Sequence, residues 1–429
     1  MKKGWSVLLS GLMTVNVFAC GALLSGCGEA LGASVEGRLS VWVPEGQNIM
    51  DMFEDMAADF EAETGTPVSI IPYMGLSATE KLELDGPFGK GGDIYIQNGG
   101  GDLAGAVEKG LFMALSSEEL GLDTALLPGM SELMEYQGVP YGVPLGAETN
   151  VMFYNKEILP EFPEDWTWQD MVEWAKTYNH FGDTIATQDS KYGLVIEYTN
   201  PYYTWAINEA FGGYIFGTDA DGNYVATDIG IDNEGSIAAS EYIMSMIDEK
   251  VLPENMGILV CINNFSSGRA AIIMDGSWSL STYRNARIDV GAALIPDIQL
   301  PSGELGTPRP FSGAYGLSIS SFTLNEELSK EFLKFAMRDE YILAYHKATG
   351  RIPTTVSCSQ IEEIANDEVL KVFTEQMEVA FPQPPINELN AVWEPLLSAG
   401  QAIYVNRMDA ATVLHKVKND VIANIELLG

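Results

Sequence analysis

Short apolar runs alternate with apolar residues at helical spacing through most of the chain. Arg38-Leu-Ser-Val-Trp-Val43 is apolar and β-branched enough for a buried strand. Ile49, Phe53, Met56 and Phe60 then recur on one helical face, with Asn48 as the expected cap and Gly65 as the stop. Thr66-Pro-Val-Ser-Ile-Ile71 reads as the next strand. Strand, helix and strand in that order predict a parallel sheet covered by helices.

Asp93-Ile-Tyr-Ile96 is a third strand, followed by Gln97-Asn98-Gly99-Gly100-Gly101-Asp102. A loop beyond the carboxyl end of a parallel strand is a favoured ligand position, and its glycines permit close backbone approach. It reads equally as a cleft rim or as a lead-in to a helix over 103–111. The Gly-Lys-Ser/Thr ending of a phosphate loop is missing.

Tyr136 to Tyr141 predicts a hairpin. Between Gly142 and Lys156, the glycines and Pro144 end one unit, and a strand over Val151–Tyr154 begins another. Residues 144–150 therefore read as a crossing between two lobes, with Glu148 at the floor of a cleft. Thr167 and Asp170 form a capping pattern before a helix carrying Met171, Trp174 and Ala175. Further strands are expected at 192–196, 270–274 and 291–295, and helices at 234–247 and around Leu328, Phe332 and Phe335. Ser312–Gly316 and Gly350–Pro353 are two more crossings. With no internal repeat and no long linker, the chain predicts two α/β lobes traversed several times.

Asn200-Pro-Tyr-Tyr-Thr-Trp205 puts three rings within four residues behind a helix-breaking proline. Such rings can cover the C–H faces of a sugar while edge groups hold its hydroxyls. They serve equally as the core of a helix start. Trp278, just past a strand end beside Gly276, can project into a cleft.

Charge and the N-terminus narrow the setting. The 429 residues carry 60 acids and 23 bases, a formal charge of −37, which argues against nucleic acid and against electrostatic adhesion to anionic lipid. Lys2 and Lys3 precede an apolar run from Trp5 to Leu24, ending in Leu24-Ser-Gly-Cys27. This is a secretory signal, with a membrane anchor as the other reading. Leu24–Cys27 resembles the bacterial lipobox, which implies cleavage before Cys27 and its acylation. Gly28 onward then reads as a tether. Cys20 falls within the signal; Cys261 and Cys358 read as small buried apolar residues. His180, His346 and His415 are isolated, without metal-ligand spacing, and the Asp219–Asn223 turn lacks the distal glutamate of a calcium loop.

Several motifs in one order carry a family resemblance. They are residues 37–43, Val143 to Lys156, Pro201 to Trp205, Phe211-Gly-Gly213, Asp275-Gly-Ser-Trp278 and Asn390-Ala-Val-Trp393. Together the chain resembles the extracellular solute-binding proteins of ABC importers, and among them most the maltose/maltodextrin-binding proteins. The resemblance implies an α/β, type II periplasmic-binding-protein-like fold with a cleft between two lobes. The expected divisions are 1–26 signal, 27–36 tether, 37–147 with 316–350 first lobe, and 148–315 with 351–429 second lobe. It implies sugar stacking for Tyr202, Tyr203, Trp278 and Trp393, and hydroxyl binding for Glu148. Asn200 stands where that family commonly has a carboxylate; an amide can still donate and accept.

The first lobe departs from that family's pattern. Gln97 and Gly100-Gly101 replace a tryptophan and a charged pair, and Glu45-Gly46-Gln47 replaces an acid–lysine pair. Glu45, Gln47, Gln97 and Asn98 are the expected first-lobe contacts. The expected function is oligosaccharide capture by lobe closure, without covalent chemistry or cofactor. A lipid-anchored monomer on the extracytoplasmic face would deliver its sugar to a permease with a separate ATPase. The alternatives are a secreted glycoside hydrolase, with Glu148 as one of two carboxylates, and a binder of a non-sugar solute such as a peptide or polyamine.

Overall fold

The computed structural model describes residues 32–73, 78–121, 125–181, 189–254 and 256–428. The signal, Cys20 and Cys27 lie outside the described residues. Among those described, no helix is long and apolar enough to cross a membrane.

The first lobe is built on β1 (Leu39–Pro44), β2 (Val68–Tyr73) and β3 (Ile94–Asn98), all parallel, with β1 in the centre. Helix α1 (Gln47–Thr64) joins β1 to β2. It buries Met52, Phe53, Met56 and Phe60, and Phe60 meets Phe332 edge-on at 5.2 Å. Asn48 is not its cap: the helix starts a residue earlier, behind Gly46, and the Gln47 amide donates to Asp51 at 2.5 Å. Gly65 closes the helix in the left-handed region, at φ 77°.

The expected break near residue 150 is absent. Val143–Asn155 forms one strand, β4, of 13 almost wholly buried residues. Its first half pairs with β8 (Phe311–Ile319), which in turn pairs antiparallel with β3. Its second half pairs with β6 (Ala270–Gly276) and β7 (Val290–Ala293), and β6 carries β5 (Tyr192–Val195) in the second lobe. The strand itself therefore runs from one lobe into the other. Gly146 and Pro144 do not end it, because both stand within strand pairings, Pro144 opposite Gly316 and Gly146 between Tyr315 and Pro353. The β9 pair Ile352–Pro353 lies against Gly146 and Ala147, and β10 (Phe381–Pro382) lies against Phe311 and Ser312. All expected crossings thus meet around the centre of β4.

The 135–140 hairpin is present, with Gln137 and Gly138 both at positive φ. Helix α3 (Trp168–Tyr178) has the capping box of Thr167 and Asp170, a device that contributes about 1 kcal/mol. Cys261 and Cys358 are buried and free.

The segment from Gly32 to Arg38 is packed on the first lobe, although the expected tether takes in most of it. Trp42 Nε1 donates to the Gly32 carbonyl at 3.0 Å, and Asn325 Nδ2 donates to the carbonyls of Val35 (2.9 Å) and Arg38 (3.0 Å). Gly37 N–H returns a bond to Asn325 Oδ1 at 2.8 Å. Asn325 is itself buried, so these backbone groups are satisfied by protein and not by water.

Candidate functional site

A cavity of about 250 Å³ lies where the crossings meet. The second lobe contributes Tyr202 and Trp393, with Gln383 and Asn390. The first lobe contributes Asn98, Gly101 and Asp102. Glu148 of β4 and Tyr315 of β8 form its floor.

Tyr202 stands in the first turn of α4 (Pro201–Ala210). Asn200 caps that helix: its Oδ1 accepts from Tyr202 N–H at 3.0 Å. The amide expected to reach a ligand is therefore occupied in helix initiation, and Asn200 does not line the cavity. Successive helical residues point about 100° apart, so Tyr202 and Tyr203 cannot both face one opening. Tyr203 turns into the core, with 7% of its surface exposed. Trp278 is half-buried and stands behind Tyr202, ring centroids 5.9 Å apart, and also lies outside the lining. A Cβ on Gly276 would fall 2.1 Å from the Trp278 ring, so that glycine lets the indole fold back against its own strand.

The stacking surface is thus Tyr202 with Trp393. Both rest on Phe311, at 5.8 Å and 5.6 Å between centroids, and Trp205 stacks on Phe311 at 4.9 Å. Phe311 is fully buried. Phe311 directly precedes the expected crossing at Ser312–Gly316, and its place under both rings comes with the pairing of β8 and β10.

Glu148 is 7% exposed and lies opposite Gly313 in the β4–β8 pair. Its Oε2 accepts from Arg351 Nε at 2.8 Å, and the Arg351 guanidinium lies 4.0 Å over the Tyr315 ring. Burial acts to lower the Arg351 pKa, but the Glu148 charge and the Tyr345 and Tyr315 phenols outweigh it and raise it. Burial, reinforced by Glu148, also raises the Tyr202 phenol well above its ordinary value. Tyr202 therefore keeps its proton, and its buried hydroxyl has no partner among the described residues. A register shift between Tyr315 and Gly316 turns the chain at this point, as bulges beside binding sites commonly do. Gly146 makes room for the arginine: a Cβ there would lie 2.7 Å from that of Arg351.

In the first lobe, the loop beyond β3 is shorter than expected. β3 runs through Asn98, and α2 (Gly101–Glu108) follows after two residues. Gly100 caps α2 at φ 64°. The close backbone approach expected at these glycines is made by the chain itself. A Cβ on Gly101 would lie 2.9 Å from Leu389, and Asn390 Nδ2 donates to the Gly101 carbonyl at 2.9 Å. Asn387 donates to Glu108 at 3.0 Å. Helix α5 (Ala410–Leu428) holds this segment from behind, through Asn424 and the Ala391 carbonyl at 3.3 Å. A piece of the second lobe therefore closes on α2 beside the cavity.

Asn98 lines the cavity, and Gln97, which donates to Ser318 Oγ at 2.7 Å, lines an adjoining one. Glu45 and Gln47 do not. Both are exposed at the start of α1 and line neither cavity, because the chain past β1 turns away into the helix. Asp102, at the end of the glycine loop, lies in the first turn of α2. It lies deep among protein atoms yet presents open surface, which faces the cavities. Burial raises its carboxyl pKa, Glu80 adds to this, and a bond from Asn98 opposes it. Its signal in sequence was its place just after a strand end, at the first turn of a helix. Among the described residues no cluster of three or more His, Cys, Asp or Glu could hold a metal ion.

The family model described as bacterial extracellular solute-binding protein matches residues 55–372. The chain belongs to that family. A galactooligosaccharide-binding protein of Bacillus subtilis (strain 168) is 29% identical over 423 residues, 96% of this chain and 95% of its own length. A maltodextrin-binding protein of the same organism is 26% identical over 400 residues, 92% of this chain and 90% of its own. A crystal structure of a cyclo/maltodextrin-binding protein complexed with maltotetraose matches with a TM-score of 0.78 at 26% identity, covering 90% of this chain and 96% of that one. The two-lobed, type II periplasmic-binding-protein-like architecture expected from the sequence is the observed one. The named relatives are binding proteins of oligosaccharides.

Proposed function

We propose that this solute-binding protein captures a malto-oligosaccharide or a similar oligosaccharide and delivers it to the permease of an ABC importer. One observation carries this: Tyr202 and Trp393 of one lobe face Asn98 and Asp102 of the other across a single cavity. Aromatic faces opposite hydrogen-bonding groups suit a ring with C–H faces and a polar rim. The relatives named for galactooligosaccharide and maltodextrin support the same ligand class.

Sugar docks on Tyr202 and Trp393 while the lobes are apart. Closure about the central crossings adds the first-lobe groups and excludes water. Ligand favours the closed state in proportion to its differential affinity for it. The contacts of Asn387 and Asn390 with α2 belong to that closed state. The Leu24–Cys27 motif supports lipid attachment at Cys27, and several acyl chains would be needed to hold it firmly.

Titration with maltotriose and with β-1,4-galactobiose, followed by tryptophan fluorescence and by chromatography of the sugar, tests this reading. The expected result is saturable change with the sugar recovered intact. Cleaved sugar, or no response to either class, overturns it. Replacing Cys27 with alanine should release the protein from membranes in the producing cell.

A further inference from the structure

Four residues, 28–31, separate Cys27 from Gly32, and from Gly32 on the chain is fastened to the first lobe. Trp42 holds the Gly32 carbonyl, and Ser34 N–H donates to the Gly91 carbonyl at 2.8 Å. Ser34 Oγ in turn accepts from Leu324 N–H at 2.9 Å. At about 3.3–3.6 Å per residue, the five steps from Cys27 to Gly32 reach no further than about 18 Å. A chain of this size has a radius of gyration of roughly 20 Å. A lipid on Cys27 therefore keeps the corner at Gly32 against the membrane, and the body cannot turn that corner to its far side.

That corner is apolar. Leu84, Phe88 and Leu324 are 60%, 77% and 66% exposed. Leu84 lies in the last turn of the helix Ala78–Asp85, and Phe88 ends the short helical turn Gly86–Phe88 that follows it. Gly86 packs so closely on Phe322 that a Cβ there would fall 2.4 Å from the ring, which brings this turn beside residues 322–324. The Ser34 bonds to Gly91 and Leu324 join both segments to the chain that leads back to Cys27. The formal charge of −37 is muted here: Glu83 pairs with Lys109 at 2.6 Å, Asp85 pairs with Lys81, and Lys90 is exposed. Clustered apolar side chains with polar neighbours mark contact with a partner or a membrane. The short tether makes the membrane the surface within reach.

We propose that the first lobe rests on the extracytoplasmic face of the lipid bilayer through Leu84, Phe88 and Leu324, beside its own lipid anchor. The inference rests on the acylation of Cys27 read above. The three side chains enter the boundary between headgroups and acyl chains, while Lys90 keeps its ammonium among the headgroups. The contact gains from apolar burial and not from charge, so it needs no anionic lipid. It gives the protein a second membrane signal besides the acyl chains, and it fixes which side of the first lobe faces the membrane.

Hydrogen exchange of the intact lipoprotein in phosphatidylcholine vesicles tests this, against the unacylated Cys27→Ala protein in solution. Mass spectrometry reports acylation, and sedimentation reports attachment to the vesicles. Amides of residues 84–91 and 322–325 should exchange at least about tenfold more slowly in the attached protein. Those around Leu259 and Leu305, exposed on the second lobe, should not change. Leu84→Ser combined with Phe88→Ser and Leu324→Ser should remove the protection and leave acylation and attachment intact. Thermal midpoints report whether this variant folds, and Phe88→Ser alone takes its place if it does not. An acylated, attached wild type without protection in these segments overturns the proposal. Equal protection in the unacylated protein also overturns it, and would make the patch a contact between copies. So does a folded variant that keeps the protection. If Cys27 of the wild type carries no lipid, the anchor reading itself fails, and this inference falls with it.

Discussion

Glu148 and Arg351 are joined by a 2.8 Å bond although 203 residues separate them in the chain. The acid belongs to β4 and the arginine immediately precedes β9, two neighbouring crossings between the lobes. Tyr315, under the guanidinium, belongs to the third, β8. The pair therefore ties the crossings together beneath the cavity.

Removing one partner leaves the other charge stranded. Arg351→Ala should destabilise the protein by about 3–5 kcal/mol in urea unfolding, because the Glu148 carboxylate stays buried without a cation. The double variant Glu148→Gln with Arg351→Met should recover most of that loss, yet bind sugar poorly. Equal stability of the single and double variants would refute this coupling.

The aromatic residues should separate by position. Trp393→Ala and Tyr202→Ala should each weaken maltotriose or galactobiose binding by about tenfold or more. Tyr203→Phe should leave affinity unchanged, since Tyr203 faces the core. Calorimetry on the three variants checks the order; a greater loss from Tyr203→Phe than from Trp393→Ala would remove the wall described here.

Asp275 should make stability depend on pH. It is fully buried behind Trp278, and burial pushes its carboxyl up to about 6, against bonds from the Tyr283 hydroxyl and from Gly276 N–H that favour ionisation. The folded state therefore holds its proton more tightly than the unfolded chain does. This contribution is full below the unfolded pKa near 4 and is lost as pH rises through about 6, on the order of 2–3 kcal/mol in all. Unfolding measured across that window should show the decline, and Asp275→Asn should flatten it.

Asn325 should hold the N-terminal segment. Asn325→Ala removes a donor from the Val35 and Arg38 carbonyls and the acceptor of the Gly37 N–H, while Val35 keeps its bond from the Arg38 N–H, and it should lower stability by about 1–3 kcal/mol. Limited proteolysis should then cut before Arg38 sooner than in the wild type. An unchanged cleavage pattern would mean the segment is held by other contacts, such as the Trp42 bond to Gly32.

The local elements were legible because each depends on residues close in sequence. The spacing of Phe53, Met56 and Phe60 gives α1, and Thr167 with Asp170 starts α3. Order of motifs gave the family and the two lobes. Gln97 and Asn98 were legible from their place at a strand end, Tyr202 from its ring cluster and Glu148 from the crossing, whereas Trp393 rested on the family resemblance alone.

What only the tertiary structure decided is which face each side chain presents and what already occupies it. Helical rotation sends Tyr203 inward while Tyr202 faces the cavity, and capping claims the Asn200 amide. The start of α1 carries Glu45 and Gln47 away from the cleft. Phe311, Arg351 and Asp102 gain their places from pairings between strands and loops far apart in the chain. Sequence records local periodicity, which is set by backbone geometry over a few residues. The meeting of distant segments is set by packing over the whole chain, and no short pattern carries it.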